Sequence, residues 1–197
     1  MSSLHYKGDR DKESVHWAVP MQKMFDISEN DPHRVLFGTA PLTERMRLVG
    51  PIKLRLFASS SSDDMDIFVT LRNIDANGKE VVNSGCYTSN YPISQGWLRA
   101  SLRKIDNELS TEYKPSYLYN EVQKLEPDQI YPLDIEIWDS AMTIEAGNCL
   151  VLEIGSQDQS GCSLLMHTGK DRIWDADVTV YTGENFSTYL MLPLIWE

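Results

Sequence analysis

Along this chain, from about Val35 onward, apolar and polar side chains alternate with a period of two. Ile52, Leu54, Leu56 and Ala58 alternate with Lys53, Arg55 and Phe57, and Met65, Ile67, Val69 and Leu71 alternate with Asp66, Phe68, Thr70 and Arg72. Successive side chains of a strand point to opposite faces, so this pattern is that of a strand with one buried face and is incompatible with a helix of 3.6 residues per turn. The same signal returns in Leu98, Ala100 and Leu102, in Leu133, Ile135 and Ile137, in Leu150, Leu152 and Ile154, in Val178 and Val180, and in Leu190, Leu192 and Leu194. Turn-forming pairs such as Pro127-Asp128 and Gly147-Asn148 separate these runs, and Asn77-Gly78 predicts a tight two-residue hairpin with Lys79 to Val82 running back. The expected fold class is all-β, an antiparallel β-sandwich of many short strands.

A length of 197 residues suits one such domain. Residues 1–34 carry charge, Pro20, Pro32 and isolated hydrophobes (Trp17, Met21, Met24, Phe25) with no sustained period, and are expected to form an arm or covering segment to a domain over 35–197. A net charge of −11 opposes nucleic-acid phosphates and anionic lipid, so neither is an expected partner. The most basic stretch, Arg99 to Lys104, is diluted by Ala100, Ser101 and Leu102 and reads as part of a strand. Cys86, Cys149 and Cys162 lie far apart, without metal-ligand spacing, and are expected to be reduced thiols. The polar N-terminus does not resemble a signal peptide, and no apolar run is long enough to span a bilayer, which together imply a cytoplasmic protein.

Several segments, in order over roughly 35–195, carry a family resemblance: Ala40-Pro41-Leu42-Thr43-Glu44, Val49-Gly50-Pro51, Leu56-Phe57-Ala58-Ser59-Ser60, Asp64-Met65-Asp66-Ile67-Phe68-Val69, Gly96-Trp97-Leu98-Arg99-Ala100-Ser101-Leu102-Arg103, Leu125-Glu126-Pro127, Asp134-Ile135-Glu136-Ile137-Trp138 and Tyr189-Leu190-Met191-Leu192-Pro193-Leu194-Ile195. By these the chain resembles the C-terminal jelly-roll domain of the cocaine-esterase and X-Pro dipeptidyl-peptidase hydrolases. In the complete enzymes, the resemblance implies, a preceding α/β-hydrolase domain supplies the catalytic serine, aspartate and histidine. This sequence contains no G-x-S-x-G elbow and no β-α-β pattern to raise one. It departs from the family where Asp139-Ser140 follows Trp138 in place of the usual proline, and where Gly147-Asn148-Cys149-Leu150-Val151-Leu152 replaces a basic strand.

Three constellations are candidates for chemistry. Ser163 and His167 with Asp171 or Asp175 are a serine, histidine and acid set close in sequence, but sequence proximity does not place a base on a nucleophile, and a plain structural histidine explains His167 better. Asp63, Asp64 and Asp66 with Glu44 lack the calcium-loop pattern, so no metal is expected; solvated acids at a strand entry, with Asp66 paired to a basic residue of the neighbouring strand, suffice. The third is a face on which strand alternation would gather Trp97, Arg99, Ser101 and Arg103, near Trp138 and Asp139, with Tyr117 in the irregular stretch 106–125. Aromatic walls with fixed donors can hold and polarise a small molecule.

This gives Arg99, His167 and Asp139 as candidate catalytic groups and Trp97, Arg103, Trp138 and Tyr117 as candidate substrate contacts. The leading expectation is accordingly a cofactor-independent cyclase or isomerase acting without a covalent intermediate on a largely apolar metabolite of secondary metabolism. The alternatives are a non-catalytic interaction module derived from a serine hydrolase, in which the same residues formed the seam to another domain or a second subunit, and a carbohydrate-binding module. A homo-oligomer, a homodimer in the simplest case, is expected because removal of a covalent neighbour exposes apolar surface.

Overall fold

The computed structural model describes residues 16–20, 24–26, 33–84, 88–158, 167–183 and 185–195; Cys86, Cys162, Ser163 and most of the expected N-terminal arm lie outside them. Ten strands follow one another: β1 (His16–Pro20), β2 (Met24–Asp26), β3 (Arg34–Thr39), β4 (Met46–Ser60), β5 (Asp66–Ile74), β6 (Ser94–Arg99), β7 (Tyr131–Ile144), β8 (Cys149–Gly155), β9 (Val178–Tyr181) and β10 (Tyr189–Ile195). Every pairing is antiparallel, in the order β1-β10-β4-β7-β6-β5-β8-β3-β2, with β9 beside the end of β4. The sheet curls into a β-sandwich of jelly-roll type, as the alternation predicts. There is no α-helix among the described residues, and no helix is long and apolar enough to cross a membrane.

One core lies between the two layers. Leu54 and Leu56 of β4, Ile135 and Ile137 of β7 and Leu190 and Leu192 of β10 meet Leu71 of β5 and Leu152 of β8, all fully buried. Burial of such side chains contributes about 2 kcal/mol each before conformational entropy is subtracted. Outside this core, Glu153 on β8, only 2% exposed, accepts from Arg34 on β3 at 3.3 Å and Arg72 on β5 at 3.1 Å, pinning three neighbouring strands together. A charge so buried is tolerated because it is paired.

Among the described residues β6 and β7 pair as backbone at a single position, Gly96 with Ile137. A β-carbon on Gly96 would stand 2.0 Å from the Glu136 carbonyl oxygen and 2.9 Å from the Ile137 Cα, so only glycine allows this approach. Immediately beyond it the β4–β7 register shifts, from Ile52 opposite Ile137 to Gly50 opposite Ser140. Pro51, which has no N–H to donate, falls in the gap. The resulting bulge turns the consecutive residues Trp138 and Asp139 both toward solvent.

Two local expectations are corrected. The run Leu98, Ala100 and Leu102 does not continue as a strand: β6 stops at Arg99 and residues Ala100–Leu102 form a 3-10 turn. The cause is Asp64, a buried carboxylate that accepts the Ser101 N–H at 3.0 Å and hydroxyl at 2.7 Å and so draws the chain out of the strand. Ser101 is buried as a result, and Trp97, Arg99, Ser101 and Arg103 do not share one face. Nor does Asn77-Gly78 form a two-residue hairpin. The Gly78 N–H donates to the Asp75 carbonyl and only Gly78 has a positive φ (79°), while the Asp75 carboxylate takes the N–H groups of Asn77 and Lys79. This is a longer turn closed by a left-handed glycine, and the return is a single bridge, Glu80 to Ile74.

Gly96→Ala is expected to cost about 3 kcal/mol, since backbone must move to admit the methyl group, and to lower the melting temperature by about 10 °C; an unchanged melting temperature would contradict the close approach. Burial raises the Asp64 carboxyl pKa, but the Ser101 hydroxyl, Arg99 and the Ser101 N–H together outweigh it and leave the group below its ordinary value. A carboxyl depressed in the folded state contributes stability that is present above its unfolded pKa and lost as pH falls through the folded one. Asp64→Asn is therefore expected to cost about 2 kcal/mol at neutral pH and to flatten the loss of stability below about pH 4; chemical denaturation at neutral pH and at pH 3 tests both, and a variant as acid-sensitive as the parent would contradict the assignment.

Candidate functional site

The candidate residues separate into two clusters on the surface. The first lies over the seam between the layers. Trp97 on β6 and Trp138 on β7 flank the Gly96–Ile137 pair and meet edge to face, ring centroids 5.1 Å apart at 72°. They are 38% and 50% exposed, unusual for indoles in a chain with a closed core. Glu136, two residues before Trp138 on β7, and Asp139 both hold the Lys114 ammonium, at 3.3 and 3.1 Å. These carboxylates raise the Lys114 pKa, with the Asp139 hydrogen bond the largest cause, so the cation persists at neutral pH. The neighbouring Tyr119 is 66% exposed and sits at a φ of 52°, a left-handed conformation that a tyrosine rarely adopts.

The stretch 106–125 that carries Lys114 and Tyr119 is irregular and packs over the outer face of β4 and β7. Tyr117 anchors it: its ring is buried and its hydroxyl donates to the Asp134 carbonyl at 2.5 Å while accepting the Glu136 N–H at 3.3 Å. Burial pushes the phenol well above its ordinary pKa. Lys53 reaches the Glu112 carbonyl of the same stretch at 2.5 Å.

The second cluster is a chain of charges. Arg99 donates to Asp64 at 2.8 Å and to Asp171 at 2.5 Å, and His167 faces Asp66 through Nδ1 at 2.7 Å and Asp171 through Nε2 at 3.3 Å. Hydrogen bonds from Arg99, from the loop's own backbone and from His167 hold the Asp171 carboxyl down to about 2. The network ties the 167–171 segment to the start of β5 and the end of β6.

Arg99 and His167 thus lie together, as do Trp97 and Trp138, while Asp139 belongs with the tryptophans. Arg103 joins neither cluster: its guanidinium stacks 4.6 Å from the Tyr131 ring centroid and donates to the carbonyls of Ala100 and Gln123. Asp63 pairs with Lys124, Asp64 with Arg99 and Asp66 with His167, and no group of three or more His, Cys, Asp or Glu able to hold a metal occurs among the described residues. Of these residues the sequence reading singles out the tyrosine-rich loop from Tyr113 to Tyr119 but not Lys114, whose place depends on how an irregular stretch folds back on the sheet. No periodic signal marks such residues.

The family model for the X-Pro dipeptidyl-peptidase C-terminal non-catalytic domain matches residues 3–191. Two crystal structures of a CocE/NonD family hydrolase from Staphylococcus aureus align with a TM-score of 0.75, at 26% and 25% identity, covering 95% and 99% of this chain and 34% and 36% of theirs. An α-amino acid ester hydrolase shares the fold at a TM-score of 0.61 and 20% identity, covering 88% of this chain and 28% of its own. No curated protein matches. The chain therefore spans about a third of the S. aureus hydrolase it resembles. Because the matching domain is a non-catalytic one, the expectation of a cyclase or isomerase in secondary metabolism is overturned. Arg99 and His167 each face two carboxylates of their own chain. With the match extending over nearly the whole chain, the chain belongs to the family of the X-Pro dipeptidyl-peptidase C-terminal non-catalytic domain.

Proposed function

We propose that this chain is a non-catalytic interaction module that packs against a hydrolase-type catalytic domain not contained in the sequence in hand. The family match over residues 3–191 carries the reading. The aromatic face supports it. Trp97, Trp138 and Tyr119 present exposed rings beside the Lys114–Glu136–Asp139 group, a mixture of aromatic and charged surface of the kind found at protein interfaces. The bulge at Trp138 and Asp139 and the left-handed backbone of Tyr119 both turn side chains outward that regular structure would place otherwise, which a merely solvated surface does not require. Exposed tryptophans contribute most of their binding energy when a partner removes them from water, about 2 kcal/mol or more at the centre of an interface.

Affinity capture with the full chain from its own source, followed by peptide mass spectrometry and light scattering, tests the reading. Wild-type chain is expected to retain a partner with an α/β-hydrolase domain. The double variant Trp97→Ala/Trp138→Ala is expected to lose that partner at least about thirtyfold more readily, with its melting temperature within a few degrees of the parent. Equal capture by parent and variant would contradict the face. A dimer of the isolated chain that dissociates in the variant would instead assign the face to a second copy.

A further inference from the structure

β9 has one partner among the described residues. It pairs with β4 through Phe57–Ser60, just beyond the point where β10 leaves β4 at Arg55. Ser61 donates its N–H to the Asp177 carbonyl, and the alternation of an antiparallel ladder then turns the N–H and C=O groups of Val178 and Val180 away from β4, toward an open edge. Among the described residues the layers do not close along this edge, and a cleft of about 700 Å³ runs between them. Its floor is the core itself, Met65, Ile67 and Ile154, and Val180 forms part of its wall.

The border of the cleft is acidic. Asp175 and Asp177 are exposed and line it, and their carboxylates have no partner among the described residues; Asp66 adds a third carboxylate, held on one side by His167. On the basic side, Arg34 bonds to Glu153, and Arg172 donates to the carbonyls of His167 and Ser156 while stacking 3.8 Å from the Trp174 ring centroid. An apolar slot along an open strand edge suits an extended chain, which brings main-chain groups to the edge and alternate side chains to the slot. The surplus of carboxylates sets the sign of its remaining side chains.

We infer that this cleft is a second binding site, distinct in residues from the aromatic face, and that it takes an extended peptide segment of alternating apolar and basic residues, added antiparallel to β9. The inference goes beyond the docking role and does not depend on it. Apolar side chains opposite Val178 and Val180 point inward over Ile67 and Ile154, their amides bond to the edge, and the basic side chains between and beside them meet Asp175 and Asp177. Four residues of β9 match a segment of about five residues.

The test is fluorescence anisotropy of the full chain with a labelled Lys-Val-Lys-Val-Lys peptide blocked at both ends. Binding that weakens with salt is expected. N-methylation of both valine amides is expected to abolish it, because the edge hydrogen bonds disappear while charge and apolar surface remain. Asp175→Asn/Asp177→Asn is expected to weaken it about tenfold with an unchanged melting temperature, since both carboxylates are exposed, and a Glu-Val-Glu-Val-Glu peptide is expected not to bind. Equal binding of the N-methylated peptide would overturn strand addition, displacement by benzylamine alone would assign the cleft to small amines instead, and equal binding of the acidic peptide or of neither peptide would overturn the site. Loss of binding to the Trp97→Ala/Trp138→Ala variant would merge this site with the aromatic face and overturn their separation.

Discussion

The two layers of this domain meet as backbone where Gly96 lies against Glu136 and Ile137, and much else follows from that contact. It lets β6 and β7 continue one sheet around a corner, so that β4, β7 and β10 face β5 and β8 across a shared core. It also places Trp97 and Trp138 side by side on the outside of the corner. A side chain at position 96 would push the layers apart and separate the indoles together. Stability and the exposed aromatic face are therefore coupled through one residue that carries no side chain.

The strands were readable because burial of one face imposes the period of two directly on the sequence. Leu54, Leu56, Ile135, Leu152 and Leu190 all lie where alternation puts them, in the core. Alternation fails where a polar group reaches across from elsewhere in the chain. Residues 98–102 alternate as well as any strand, yet Asp64, 37 positions before Ser101, captures that serine and winds the segment into a turn. The candidate site suffered from the same limit. Trp97 and Trp138 could be paired from their strands, whereas Arg103 was assigned to a face that the turn destroys, and Lys114 and Tyr119 come from an irregular stretch whose position depends on the Tyr117 anchor.

The densest group of charges on this domain is a fastening network. Arg99 faces Asp64 and Asp171, and His167 faces Asp66 and Asp171, so the charges that invite a catalytic reading serve to fasten the 167–171 segment to the sheet. The outward aromatic rings and the open edge of β9 remain, and both are proposed as surfaces that hold another chain.

The most direct measurement of this account is intact-mass spectrometry of the purified chain after prolonged exposure to a fluorophosphonate, which acylates activated serines irrespective of substrate. A non-catalytic domain is predicted to keep its unmodified mass under conditions that label a serine hydrolase completely. A stoichiometric adduct on one serine, absent after heat denaturation of the chain, would contradict it.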